Sequence, residues 1–185
     1  MTRRRPTAGV VLGPLLAAVV VGLPACGEAS RVRVGFPLPA LSFKSLDGAA
    51  VDLDTFRGQP LLLNFWATWC QPCLREIPVL KRLEAEGRVR VVGVALDVEG
   101  ARVVRPFVER MQINYAVLLG SQDVLEHVDG FAIPYTLLLD ASLDVVAVHR
   151  LPVTRQDIET SLRRIGDHTS PGDAGFGARS ADRSE

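Results

Sequence analysis

The sequence has no excess of charge of either sign, few aromatic residues and no internal repeat. Its 185 residues carry 21 basic and 21 acidic side chains. Three of the basic ones, Arg3, Arg4 and Arg5, lie at the extreme N-terminus, so the chain from residue 26 onward is mildly acidic. A nucleic-acid-binding surface needs clustered basic residues, and the sequence therefore predicts no nucleic-acid partner. Once its ends are set aside, the length is about that of one domain.

Metal ligands are also scarce, because the chain has only three cysteines and three histidines. A structural zinc site needs four ligands. Cys70 and Cys73 form one pair, but His127, His149 and His168 lie in no second paired motif. The sequence therefore gives little support to a metal site, and we predict none.

The apolar run near the N-terminus, VVLGPLLAAVVVGL at 10–23, is shorter than the ~20 residues of a membrane-spanning helix. Because the basic segment TRRRPT precedes it, it predicts a signal peptide at residues 1–25. The following LPAC resembles the lipobox of bacterial lipoproteins, which implies that Cys26 is lipidated. The alternative is simple cleavage, for example after Ala29. We expect an exported protein held by lipid on the outer face of the cytoplasmic membrane.

Apolar periodicity predicts alternating strands and helices beyond residue 40, with a hairpin around Asp47-Gly48. The predicted strands lie at 60–67, 89–97, 115–119, 134–140 and 145–149. The predicted helices run from the cysteines to Gly87, with a kink at Pro78, and over 101–111, 123–128 and about 154–165. This order predicts an α/β fold, with a mixed central sheet and helices on both faces.

The chain divides into four segments by composition. A tether at 26–34 follows the signal peptide, one folded domain spans 35–166, and a Gly-, Ser- and Asp-rich tail at 167–185 is predicted to be disordered.

The stretch NFWATWCQPC places two cysteines directly after an apolar strand and at the start of a helix. Unpaired N–H groups and the helix dipole at that position stabilise a thiolate at Cys70. Cys73, one turn further, is positioned to resolve a mixed disulfide. A purely structural disulfide over so short a loop would restrict the unfolded chain little. The pattern therefore favours thiol–disulfide exchange.

The segment FWATWCQPC, with Pro78 downstream and FAIPYTLLLD at 131–140, resembles the thioredoxin superfamily. The similarity covers residues 35–165. It is greatest to the membrane-anchored TlpA- and ResA-like thiol–disulfide oxidoreductases, which implies a thioredoxin fold with an N-terminal hairpin and an extra helix–strand unit at about 100–119.

The resemblance also implies roles for single residues. Cys70 is the expected attacking thiolate and Cys73 the resolving thiol, with no cofactor beyond their disulfide. Pro134 resembles the cis-proline that faces the disulfide. The expected client-binding residues are Trp69, Pro72, Ile133 and Pro134, whereas Trp66 is expected in the core.

Asn64 stands where cytosolic thioredoxins have a buried aspartate that relays a proton, which an asparagine cannot do. Glu76, three residues after Cys73, shares its helix face. We therefore expect Glu76 to act as a general base for Cys73; the alternative is an exposed helix carboxylate.

The resemblance favours the reducing direction, with electrons passing from a membrane-embedded thiol donor to protein disulfides, as in cytochrome c maturation. Three alternatives remain. The same scaffold can form disulfides, and a copper-delivery lipoprotein can share the fold, although those typically use CxxxC. A thiol peroxidase is disfavoured because Ala67 occupies the position of its threonine.

Overall fold

The computed structural model describes residues 32–168. The predicted signal peptide, Cys26, most of the predicted tether and residues 169–185 of the predicted tail lie outside the described residues.

Seven strands, four α-helices and one 3₁₀ turn make up the described chain. The strands are β1 (Phe43–Ser45), β2 (Ala50–Val51), β3 (Leu61–Trp66), β4 (Arg90–Ala95), β5 (Ala116–Leu119), β6 (Tyr135–Leu139) and β7 (Val145–His149). The helices are α1 (Gln71–Glu86), α2 (Ala101–Met111), α3 (Gln122–His127) and α4 (Arg155–His168), and the 3₁₀ turn spans Leu53–Phe56.

The strands form one mixed sheet in the order β2-β1-β5-β4-β3-β6-β7. Strands β3, β4 and β5 run parallel, and β1, β6 and β7 each pair antiparallel with their neighbours. The hairpin is the β1–β2 pair, whose turn places Gly48 at a φ of 84°. The inserted unit is α2 with β5, which lies between β4 and β1. The predicted α/β thioredoxin-like fold is confirmed.

Strand β3 is buried along its whole length because both faces of the sheet are covered. Alternate residues point to opposite faces, so Leu62 and Trp66 enter the core under α1, α2 and α4. Leu61, Leu63 and Phe65 enter the core on the other face, with α3 and the 3₁₀ turn. The continuous apolar run thus reflects two cores, as predicted for a central strand.

Helix α1 begins after the four residues that follow β3 and continues through Pro78 to Glu86, followed by Gly87 in the left-handed conformation. Pro78 therefore lies inside the helix without ending it. The 3₁₀ turn was not predicted: the Asp52 side chain accepts a hydrogen bond from the Asp54 backbone N–H at 2.9 Å and caps a segment with no apolar period.

Residues just before the hairpin attach to the sheet edge. The backbone N–H of Gly35 donates to the carbonyl of Val145 at 2.7 Å, and Val145 donates to Phe36 at 2.9 Å. Val145 pairs with Leu139, the last residue of β6, whereas Tyr135 is the first. Phe36 therefore lies near the end of β6 that is far from Tyr135. Within residues 32–168 no helix is long and apolar enough to cross a membrane.

Candidate active site

The two cysteines lie at the junction of β3 and α1 and are joined by a disulfide, with Cα atoms 5.3 Å apart. Cys70 is the N-cap residue of α1, and its Sγ accepts a hydrogen bond from the backbone N–H of Cys73 at 3.3 Å. Both residues are largely buried. The structure thus places the Cys70 sulfur at the helix N-terminus, where free N–H groups stabilise a thiolate once the bond is reduced.

The segment before β6 faces this disulfide. The Ile133–Pro134 peptide bond is cis, as the resemblance implied, and the Ile133 carbonyl oxygen lies 3.8 Å from Cys70 Sγ. The antiparallel pairing of β3 with β6, which sets Phe65 opposite Tyr135, brings the two segments together. A chain segment bound here would lie against both Pro134 and the reactive sulfur.

Two large aromatic side chains are exposed in the segments that carry Cys70 and Ile133. Trp69, directly before Cys70, is 67% exposed, and Phe131, two residues before Ile133, is 81% exposed. Pro72 is partly buried in the first turn of α1. Aromatic side chains supply large contact areas when another molecule binds, so these two residues are candidates for contact with a client. Phe131 was not singled out from the sequence, although it opens the same FAIPYT segment as the proline.

Glu76 is buried, with 2% of its surface exposed, so the alternative of an exposed helix carboxylate is wrong. Its Oε1 accepts a hydrogen bond from Asn64 Nδ2 at 2.7 Å, and its Oε2 accepts one from the backbone N–H of Val153 at 2.9 Å. Burial raises the pKa of Glu76 to about 7, against the opposing effect of these two hydrogen bonds. The side chain therefore titrates near neutral pH, which suits a group that takes up and releases protons in that range.

Asn64 connects this carboxylate to β6. Its Nδ2 also donates to Thr136 Oγ1 at 2.9 Å, and the two residues are directly opposite each other across the β3–β6 pair. Both are buried polar residues in otherwise apolar strands. The resemblance pointed to Asn64, and the contrast of a polar residue within an apolar strand could have identified Thr136. No sequence signal identified Val153.

The structure thus brings together Cys70, Cys73, Ile133 and Pro134, with Glu76 one helical turn beyond the cysteines. No hydrogen bond links the Glu76 carboxylate to either sulfur in the described structure. No group of three or more His, Cys, Asp or Glu side chains suited to a metal ion occurs among residues 32–168. What the arrangement can do is thiol–disulfide exchange: the oxidised pair can react with a bound dithiol, and the reduced pair with a bound disulfide.

Comparison with known proteins agrees with this chemistry. Residues 34–149 match the AhpC/TSA family. The thiol–disulfide oxidoreductase ResA of Geobacillus kaustophilus (strain HTA426) is 32% identical over 141 residues, which cover 75% of this chain and 81% of the relative.

Solved structures agree as well. MTB DsbF, determined in mixed oxidized and reduced forms, is 26% identical with a TM-score of 0.59, covering 68% of this chain and 94% of DsbF. A thioredoxin-family thiol:disulfide interchange protein from Chlorobium tepidum TLS is 26% identical with a TM-score of 0.58, covering 70% and 95%. The fold and the paired cysteines define a thioredoxin-like thiol–disulfide oxidoreductase. The chain belongs to the AhpC/TSA family and is similar to the ResA thiol–disulfide oxidoreductases.

Proposed function

We propose that the protein is an exported, lipid-anchored enzyme that reduces disulfides in protein substrates through the Cys70–Cys73 dithiol. The observation that carries the proposal is the position of Cys70, which caps α1 and lies against the Ile133 carbonyl beside Pro134. A sulfur at this position is activated by the helix N-terminus and faces the segment where an extended client chain would bind.

The reaction takes place in two exchanges. The Cys70 thiolate attacks one sulfur of the client disulfide, forming a mixed disulfide and releasing the first client thiolate. Cys73 then loses its proton and attacks Cys70 Sγ, which releases the second client thiolate and leaves the Cys70–Cys73 disulfide. Two electrons pass to the client, and a membrane-embedded thiol donor restores the dithiol.

Glu76 is the proposed acceptor of the Cys73 proton. The two residues are three positions apart on one helix face, and the burial that raises the pKa of Glu76 to about 7 matches the carboxylate to proton transfer at neutral pH. Because no direct hydrogen bond joins them, the proton has to travel through an intervening water or a side-chain rotation.

Client contact is assigned to the exposed Trp69, the partly buried Pro72, and the Ile133–Pro134 segment. The location rests on the N-terminal sequence: the basic segment, the short apolar run and Cys26 favour export and lipid attachment. Resemblance to the TlpA- and ResA-like branch favours clients of the cytochrome c maturation type, such as an apocytochrome or a copper-centre assembly protein.

The testing experiment is the reduction potential of the Cys70–Cys73 pair, measured on the purified full chain by equilibration with glutathione. A value near the roughly −270 mV of thioredoxin supports the reductant. A value approaching the roughly −120 mV of a strong oxidant would show a disulfide-forming enzyme instead.

Trapping tests the assignment of the two sulfurs. The Cys73→Ser variant should retain client proteins as mixed disulfides on Cys70, since the resolving thiol is gone. The Cys70→Ser variant is the matched control and should retain none. Tight Cu(I) binding by the reduced chain would support the copper-delivery alternative, and rapid peroxide consumption would support the thiol peroxidase that Ala67 disfavours.

A further inference from the structure

A second buried carboxylate, that of Asp97, lies against the residues that connect β3 to Cys70. Asp97 follows β4 by two residues and is 4% exposed. A carboxylate removed from water must be compensated by donors. Its described donors all belong to Thr68, two residues before Cys70: the Thr68 N–H lies 3.3 and 3.1 Å from the two carboxylate oxygens, and Thr68 Oγ1 donates to Oδ1 at 2.5 Å.

Thr68 belongs to the turn that presents the reactive sulfur. The backbone N–H of Cys70 donates to the carbonyl of Ala67 at 3.1 Å, which closes a four-residue turn over 67–70. This turn ends at Cys70, the N-cap of α1, and exposes Trp69. Because Asp97 holds the second residue of the turn through both its backbone and its side chain, it restrains the entry to the helix.

Asp97 is itself fixed. Its carbonyl accepts a hydrogen bond from the backbone N–H of Gly100 at 2.9 Å, and Leu96 donates to the Trp66 carbonyl at 2.9 Å. The β4–α2 connection and the β3–α1 connection are therefore joined side by side at the carboxyl ends of two parallel strands. The Asp97 carboxylate lies at this junction.

We propose that Asp97 is a positioning residue of the redox site: it holds the 67–70 turn through Thr68, and its negative charge keeps the Cys70–Cys73 pair reducing. This inference rests on the proposed function. A carboxylate beside the turn disfavours a thiolate at Cys70, in opposition to the helix N-terminus. A less stable thiolate means a less stable dithiol, which gives up its electrons more readily.

Two substitutions separate charge from position. Asp97→Asn keeps the shape and an acceptor oxygen but removes the charge. We expect its equilibrium with glutathione to shift toward the dithiol by about threefold to tenfold, where tenfold corresponds to about 30 mV for a two-electron couple. The pH midpoint of Cys70 alkylation should fall in parallel. Glu99→Gln removes a charge from an exposed residue of the same connection and is the matched control, with no expected change.

Thr68→Val keeps the charge and the side-chain volume but removes the hydroxyl donor. We expect a several-fold loss in kcat/KM with a protein disulfide and little change in the glutathione equilibrium, because the turn is loosened while the charge stays. Thr68→Ser restores the hydroxyl and should recover the rate.

The proposal is overturned if Asp97→Asn folds with the wild-type equilibrium and the wild-type alkylation profile, whatever its thermal stability. If Asp97→Asn does not fold, a Thr68→Val variant with wild-type kcat/KM overturns the positioning role. Failure of the proposed function is distinguishable, since it would appear in the wild-type protein itself as the reduction potential of a strong oxidant, whereas failure of this proposal would appear only as the absence of a difference between the wild type and Asp97→Asn.

Discussion

Asn64 donates a hydrogen bond to Glu76 across 2.7 Å, and this joins the central strand to the helix that carries both cysteines. Both side chains are buried, and both are polar in otherwise apolar surroundings. Such a pair is costly unless each group is satisfied. Asn64 achieves this through Glu76 and Thr136, and Glu76 through Asn64 and Val153. The central strand thus supplies the amide of this pair, and the helix supplies the buried carboxylate.

The first prediction concerns the pH dependence of stability. The pKa of Glu76 is about 7 in the folded protein against an ordinary value of 4.5, so the folded state binds this proton more tightly. The stabilisation is therefore fully present below pH 4.5 and is lost as pH rises through about 7. We expect the free energy of unfolding to fall by about 3 kcal/mol from this group between pH 4 and 8.

Urea unfolding of the oxidised protein at several pH values between 4 and 8 measures this fall in the free energy of unfolding. Glu76→Gln should remove most of it, whereas Glu109→Gln, a change at an exposed position of α2, should leave it intact. The same Glu76→Gln variant should alter the pH dependence of Cys73 reactivity in the reduced protein. An unchanged reactivity profile would show that Glu76 does not relay the Cys73 proton.

The second prediction tests the support for Glu76. Asn64→Leu removes the donor to Oε1 and leaves a buried carboxylate with only the Val153 N–H. We expect a loss of about 1–3 kcal/mol in the free energy of unfolding. The loss should be larger at pH 8 than at pH 5, because the ionised form needs the donor more.

Thr136→Val is the control for this variant, since it removes the acceptor of the second Asn64 hydrogen while the bond to Glu76 remains. Its cost should be smaller and nearly independent of pH. Equal losses at both pH values for Asn64→Leu would contradict the electrostatic coupling between Asn64 and Glu76.

How far the sequence alone predicts this site depends on the distance between partners along the chain. Cys70 and Cys73 are one turn apart, so the strand–helix junction placed them correctly. The cis bond before Pro134 followed from a resemblance, because an X–Pro bond is cis only about 5% of the time. Glu76 was placed on the right helix face, but one of the two donors to its carboxylate is the N–H of Val153, which lies 77 positions away and which no local pattern indicates.

The same limit explains the contact that the sequence did not suggest. Asp97 and Thr68 are 29 residues apart, on connections that meet only once β3 and β4 pair in parallel. Aspartate commonly follows the last residue of an apolar strand. The residues next to Asp97 in sequence do not show whether its side chain lies in solvent or holds the 67–70 turn. The apolar periodicity, by contrast, predicted α2 over 101–111 because an amphipathic helix displays its pattern locally.

The third prediction concerns client recognition by Trp69. Because this side chain is 67% exposed, Trp69→Ala should change the free energy of unfolding by no more than about 0.5 kcal/mol. We expect KM for a protein disulfide to rise several-fold, while the rate with a small disulfide such as oxidised glutathione stays near that of the wild type. Steady-state kinetics with the two substrates measure this difference.

Phe36→Ala is the matched control for Trp69, since Phe36 is also an exposed aromatic residue but is bonded to the sheet edge away from Pro134. It should leave both substrates unaffected. Equal losses with the protein and the small disulfide after Trp69→Ala would assign Trp69 to the reaction itself rather than to client contact.

The last prediction concerns the packing behind the site. A Cβ at Gly93 would lie 2.8 Å from Trp66 Nε1 and 3.1 Å from Tyr115 Cε2, so β4 has room only for glycine there. Gly93→Ala should destabilise the protein by about 1–3 kcal/mol through overpacking.

Trp66→Phe should relieve this overpacking. Trp66 Nε1 has no hydrogen-bond partner in the described structure, so the smaller ring of phenylalanine loses no hydrogen bond and leaves space for the methyl group. The loss in the free energy of unfolding of the double variant should therefore be smaller than the sum of the two single-variant losses by at least about 0.5 kcal/mol, as measured by chemical denaturation. Strict additivity would mean that the indole is not what excludes a side chain at position 93.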